Sequence, residues 1–295
     1  MNIEEMRKLL HLARSQNIQV SAAAMHITPG ALSKTLKKIE NQLNTALFER
    51  VGRNIQLNTN GQKFVAYASK LVHEFEQMHS EFTDNSFSHR VNITGPSVLL
   101  NHCLDKLLQD IEPLNVEVNL SSSFEGEAVN QVTSGHSHLA VVTSEALPGI
   151  ESRGLASLPL GKTQFKLAIS NKHPLYVKHT ASPVLLASVL KYPFVCPASS
   201  PFCGVVRGVG SDGWPDNKYP RKIRYRTDDF NALVTLVQQG RAIAFIPDLV
   251  IKSNDLVTPD IVEFDYQYQE EYCLVYKPSV AFGWLNKLVA SYKQY

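Results

Sequence analysis

The stretch that most constrains this chain runs from Val20 to Thr59. Thr28 followed by Pro29 supplies an N-cap and a first helical residue, so a helix is expected to start there. Leu32, Leu36, Ile39 and Leu43 then recur at spacings of 4, 3 and 4, which makes one face. Gly30, Lys34, Lys37 and Asn41 fall opposite that face, with Ser33 and Lys38 on its flanks. A helix with one dry side on its neighbour and a basic, hydroxyl-bearing side turned outward is built to lie in a DNA groove. The pattern predicts a first helix over 3–15, a second over 20–26, this third over 28–42, and a basic wing at about 47–58.

The segment resembles the winged helix-turn-helix of LysR-type transcriptional regulators. The resemblance lies in Ala31-Leu32-Ser33, Ile39-Glu40, Leu47-Phe48-Glu49-Arg50, Arg53 and the Leu57…Thr59…Gly61 run. Beyond the head it extends to Lys166–Leu175 and Gly240–Pro247, and so covers essentially the whole chain. It implies an α/β protein: an N-terminal winged helix-turn-helix, a long linker helix, then two Rossmann-like lobes similar to periplasmic binding proteins. One departure stands out. The family usually has Gln followed by Pro or Ser where this chain has Pro29-Gly30. Pro carries no side-chain donor, so a base contact the family often makes there is absent, and the target sequence does not transfer from relatives. Phosphate contacts are expected from Lys34, Lys38, Arg50, Arg53 and the Thr28 hydroxyl, with Gly30 on the same face. Ser33 and Lys37 are placed at base edges, and Arg53 or Asn54 in the adjacent minor groove. Arg50 could instead pair with Glu40 or Glu49.

Charge is distributed as this reading requires. Residues 1–65 hold nine Lys/Arg against four Glu, a net +5 of a whole-chain +2, which leaves −3 on the remainder. A basic head on a mildly acidic body is expected when only one end meets phosphate. Met1–Gln16 is charged and amphipathic, and no apolar run approaches the ~20 residues of a bilayer span. The cytoplasm is the expected compartment, with no membrane partner. Four scattered cysteines in 295 residues do not make a disulfide framework.

Thr59-x-x-Gln62 reads as a capping box opening a long helix. Along it, Phe64, Ala68, Leu71, Phe75, Met78 and Phe82 form an a/d seam, which a dimer coiled coil would bury. The same spacing would serve a helix in its own core. Two heads are needed for two half-sites one helical turn apart, which favours the dimer. The resemblance implies a homotetramer, with a homodimer as the next choice, and RNA polymerase as a further partner. The helix is expected to stop near 83–88. The domains read as 1–59, 60–88 and 91–295.

From Val91 strands alternate with helices, the grammar of a parallel sheet with crossovers. Strands are expected at 91–94, 116–120, 138–142, 164–170, 194–196, 242–246 and 272–276, and helices at 97–108, 127–134, 183–190 and 228–239. Lobe I is then 91–161 with 268–295, and lobe II 162–267. Ligands of open α/β sheets sit beyond the carboxyl ends of strands. This rule nominates Pro96, Ser97, Ser123, Phe124, Thr143, Ser144, Cys196, Ser199, Phe202, Phe245 and Pro247 for a small, polar or partly apolar effector.

Three other patterns bear on function. Cys196 and Cys203 lie roughly where peroxide-sensing relatives keep a redox pair, at a different spacing, so a thiol-based regulator is an alternative. His136-Ser137-His138 lacks further metal ligands at suitable spacing and reads as a surface turn. Gly210-Ser211-Asp212-Gly213 is not a nucleophile elbow, and no Walker or GxGxxG motif occurs. The expectation is a sequence-specific DNA-binding regulator controlled by a small effector, without enzymatic activity, cofactor or metal. A periplasmic-type binding protein is the competing class.

Overall fold

The head is built by helices that carry their own stop and start signals. In the computed structural model, which describes residues 1–51, 54–82, 90–111, 117–178, 183–280 and 283–292, α1 (Ile3–Ser15) opens on a reciprocal capping box between Asn2 and Glu5. Asn17 caps α2 (Ile18–Ala24), and the Thr28 hydroxyl accepts from the Ala31 N–H at 3.1 Å to cap α3 (Pro29–Leu43). Leu32, Leu36 and Ile39 of α3 bury against Leu9 and Leu12 of α1, whereas Leu43, expected on the same face, is the last residue of the helix and stays 40% exposed. A two-stranded wing follows, β1 (Phe48–Val51) antiparallel to β2 (Asn54–Leu57). The Glu40 carboxylate anchors the wing by accepting from the backbone N–H of Leu47 at 2.7 Å and of Phe48 at 3.4 Å.

The linker helix α4 (Thr59–Phe82) departs from expectation in two ways. Its cap is Asn58, whose side chain accepts from the Gly61 N–H at 2.8 Å, so the predicted Thr59 box is displaced by one residue. The predicted seam also divides. Phe64 and Ala68 are buried with Val72 in the core of the head, and are not available to a second chain. Leu71, Phe75 and Met78 remain exposed, joined by Tyr67 at 72% exposure. Positions 64, 68 and 72 make a single stripe that α1 covers, which leaves the adjacent stripe open. The side chain of Phe82 and the expected helix end at 83–88 lie outside the described residues.

The remainder is a mixed α/β region. In chain order it holds β3 (Arg90–Gly95), α5 (Ser97–Ile111), β4 (Glu117–Ser122), α6 (Glu125–Thr133), β5 (Leu139–Thr143) and the long β6 (Ala156–Ala168). There follow α7 (Pro174–Lys178), β7 (Val184–Leu185), α8 (Leu186–Val189), β8 (Pro193–Pro197), β9 (Lys222–Thr227) and α9 (Phe230–Gln238). Last come β10 (Ala244–Pro247), α10 (Asp248–Ser253), β11 (Ile261–Val262), β12 (Tyr268–Tyr276) and α11 (Gly283–Tyr292). One sheet runs β10-β6-β12-β5-β3-β4. Its β3 is parallel to β4 and β5, whereas β12 is antiparallel to β5 and β6, so the sheet is mixed where a parallel one was expected.

Strands β6 and β12 are the two long crossings that carry this sheet toward the second lobe. There β8 pairs in parallel with β9, and β11 with β7. β6 starts eight residues earlier than Gln164 because Pro159 and Gly161 mask its first half in the sequence. A bulge opposite Tyr272/Cys273 absorbs the irregularity, and Gly161 lies where the Tyr272 ring leaves no room for a side chain. The helix expected over 183–190 is only the single turn α8, since Val184 and Leu185 pair with β11. A continuous core, including Leu99, Leu107, Phe194 and Phe245, fills the region from lobe to lobe.

Candidate DNA-binding surface and effector cleft

With its apolar stripe buried, α3 turns Gly30, Lys34 and Lys37 outward and leaves Ser33 half-buried at the edge of that face. Around Gly30 there is open space, with no heavy atom within 4 Å of where a Cβ would sit. Neither Lys34 nor Lys37 has an ion-pair partner among the described residues, so both ammonium groups are free for phosphate or base. Lys38 is engaged differently from expectation. Its ammonium folds back onto Glu5, the residue that also closes the α1 capping box. Arg50 is exposed on β1 and has no ion-pair partner among the described residues, while Glu40 is committed to the wing backbone. Arg53 and the side chain of Asn54 lie outside the described residues.

A second site forms where four strand ends meet. The turns after β3, β4, β8 and β9 enclose a cavity of about 400 Å³. Of the nominated effector residues, Pro96, Ser97, Ser123, Phe124 and Ser199 line it. Ser123 is held by a hydroxyl–hydroxyl bond to Thr94 at 2.8 Å. Loop 200–204 brings the two lobes together beside the cavity. The Glu125 N–H donates to the Phe202 carbonyl at 3.1 Å. Gly204, at φ +70°, presses against the Phe124 ring. Arg207 completes the contact with an ion pair to Glu145.

Six nominated residues do not line this cavity. The Thr143 side chain is buried, and its N–H donates to the Glu125 carboxylate at 2.6 Å. Ser144 opens a short turn away from the opening. Cys196 lies inside β8 with no exposed surface, and burial pushes its thiol up to about 12. It therefore holds no thiolate at neutral pH and does not suit a redox pair with the half-buried Cys203. Phe202 turns to the far side of its loop, lining a separate hollow with Trp214 and Tyr268. Phe245 and Pro247 belong to β10, all four of whose residues are buried against β6.

The structure adds Glu127, Thr227, Asp228 and Phe230, which were not nominated. Thr227 ends β9, a strand missing from the sequence reading, and Asp228 and Phe230 follow it. Its signal was present as the strict alternation Lys-Ile-Arg-Tyr-Arg-Thr, whose charged residues are exposed and whose others are half-buried.

Two of these other motifs have structural roles. Asp212 makes a two-pronged pair with Arg221 at 2.7 Å on both arms, and Arg221 also reaches Asp216 at 3.0 Å. This clamps the irregular segment between β8 and β9. His136 bonds the Ser134 hydroxyl, and burial lowers it to about 4, while His138 accepts the Asn92 N–H at 2.8 Å. The turn is thus more buried than expected. Among the described residues, no three His, Cys, Asp or Glu side chains converge as metal ligands, and no helix is long and apolar enough to cross a membrane.

A capped, basic-faced helix on a three-helix head, joined by a long helix to a two-lobed α/β region with an open cleft, is the geometry into which known families can be matched. Residues 3–62 match the bacterial regulatory helix-turn-helix proteins of the lysR family, and residues 84–282 match the LysR substrate binding domain. The chain belongs to the LysR family. It is a LysR-type DNA-binding transcriptional regulator with an effector-binding domain. It is 25% identical over 262 residues to the HTH-type transcriptional regulator IlvY of Escherichia coli K12, across 86% of this chain and 84% of that protein. The fold is shared with ArgP from Mycobacterium tuberculosis at a TM-score of 0.66 and 16% identity, covering 98% of this chain and 95% of that one. It is shared too with full-length CbnR complexed with its target DNA, at a TM-score of 0.55 and 15% identity, covering 100% and 99%.

Proposed function

We propose that this chain acts in the cytoplasm as a self-associated regulator whose paired α3 helices enter successive major grooves while a small effector settles between the lobes. The observation that carries this reading is the exposed face of α3, with Lys34 and Lys37 without ion-pair partners among the described residues, opposite the buried Leu32, Leu36 and Ile39. In this reading Thr28, Lys34 and Arg50 hold phosphates, and Ser33 and Lys37 reach base edges. Lys38 contributes only if it leaves Glu5. Leu71, Phe75 and Met78, with Tyr67, join two copies along α4, and pairs of dimers make a tetramer. CbnR, solved on its target DNA, supports the same use of this head.

The cleft turns ligand into response through differential affinity: a molecule that binds one lobe arrangement better biases how paired heads sit on DNA. RNA polymerase is the further partner of this reading, since a regulator acts by changing its access or recruitment.

The test is a footprint of the purified full-length chain on DNA upstream of its own gene, at two salt concentrations. The expected result is protection over a roughly symmetric site that weakens steeply with salt. Absence of protection at low salt would overturn the reading.

A further inference from the structure

The cavity between the strand ends has an unbalanced charge inventory. Among the described residues, its only charged lining residues are Glu127 and Asp228, and no Lys, Arg or His lines it. Asp228 has neither an ion pair nor a hydrogen bond among the described residues. It is not needed to start α9, because the neighbouring Asp229 is the N-cap and accepts from Asn231 and Ala232. Glu127 accepts one hydrogen bond, from Gln131 at a long 3.4 Å. Arg207, the nearest cation of the interlobe contact, is committed to Glu145 and does not line the cavity.

From this inventory we infer that the effector of this chain is an amine: a small organic ammonium or zwitterion with an apolar portion. The inference rests on the reading of the cavity as the effector site. An ammonium entering the cavity meets the carboxylates of Glu127 and Asp228 with no competing cation among the described lining residues. Lobe closure removes water and strengthens that attraction. A purely anionic ligand meets the same carboxylates as repulsion.

The rest of the lining sets the other limits. Phe124 and Phe230 offer rings to an apolar portion. The hydroxyls of Ser97 and Ser199 have no partner among the described residues and can donate or accept. The N–H groups of Ser97 and Val98 open the fifteen-residue α5 without a helical acceptor, since those of Leu99 and Leu100 donate to the Pro96 carbonyl, and the first two could take a single carboxylate. That admits zwitterions and excludes ligands whose charge is net negative.

The test uses the full-length protein with matched compound sets that share a skeleton and differ in charge. One set is phenethylamine, phenylalanine, phenethyl alcohol and 3-phenylpropionate, and further sets vary the apolar portion. Binding is read by calorimetry and by the shift of thermal unfolding. The expected result is binding by the amine and the amino acid members and none by the carboxylates. Asp228→Asn should weaken the amine by about tenfold or more while sparing the neutral alcohol. Asp228→Lys should invert the preference toward carboxylates. Equal or tighter binding by the carboxylates in the wild type would overturn the amine assignment and leave the cleft reading standing. So would amine affinity unchanged in both Asp228→Asn and Glu127→Gln. No ligand from any set, with DNA binding intact, would overturn the cleft reading itself.

Discussion

Arg221 is withdrawn from water, its side chain 0% exposed, with Asp212 at 3% against it and the Trp214 ring 5.3 Å from the guanidinium. Such a pair is weak evidence of net stability, but removing one partner leaves the other buried and uncompensated. Arg221→Met is therefore expected to cost about 3–5 kcal/mol, read by urea denaturation. A loss too small to measure would show that Asp212 simply takes up a proton. Glu125 gives a pH signature. Burial raises its carboxyl above the usual 4.5, so the folded chain holds that proton more tightly than the unfolded one. The stabilisation is complete below the unfolded value and is lost as pH rises through the folded one. The contribution of Glu125 to thermal stability should accordingly fall from acid toward neutral pH. Glu125→Gln, which keeps an acceptor for the Thr143 N–H, should flatten that slope, and identical profiles would refute the assignment. At this scale five of the eleven nominated residues line the cavity and six do not. The rule that ligands sit beyond strand ends names a turn, but Cys196 still belongs to the buried strand β8, whereas Ser199, two residues past its end, lines the cavity.

Helix α4 shows what periodicity can and cannot separate. A 4-3-4 spacing announces that a stripe is buried, but intramolecular and intermolecular burial leave the same trace. Phe64 and Ala68 are claimed by α1 of the same chain, and Leu71 and Met78 are left at 45% and 51% exposure. The two halves should respond differently to substitution. Leu71→Ser with Met78→Ser is expected to leave the head folded and to lower the oligomeric state, seen by sedimentation. Ala68→Glu places an unpaired charge in the core of the head and should cost about 3 kcal/mol or more in head stability. If both variants merely dissociated, the seam would be one intermolecular face after all. The first and third helices of the head were legible almost to the residue because Thr28 and Pro29 carry their signals locally, whereas the second, read as 20–26, starts at Ile18 behind the unread cap Asn17. Strand β9 was passed over because its half-buried alternation is weaker than a continuous apolar run, and Asp228 went unseen with it.

For the whole molecule, the alternation of strands and helices announced two α/β lobes. It did not announce the antiparallel pairing of β12 with β5 and β6, which joins residues more than a hundred apart in sequence. Long-range pairing of that kind leaves no local signal. What the lobes are for depends on the heads acting in pairs, and that pairing is measurable without knowing the effector. Each phosphate contact releases counterions, so the logarithm of DNA affinity falls with the logarithm of salt by about 0.9 per contact. Because Lys34 is unpaired and exposed, its loss costs the free protein no ion pair. In a dimer with both heads engaged, Lys34→Ala removes two equivalent contacts, and the slope should become shallower by about 1.8. It should do so equally on operator and unrelated duplex. Ser33→Ala, at a base edge, should instead weaken only the operator and leave the slope unchanged. A slope change near 0.9 for Lys34→Ala would mean that one head binds at a time, and the effector would then act on single heads. No change would take Lys34 off the phosphate backbone and move α3 out of the groove.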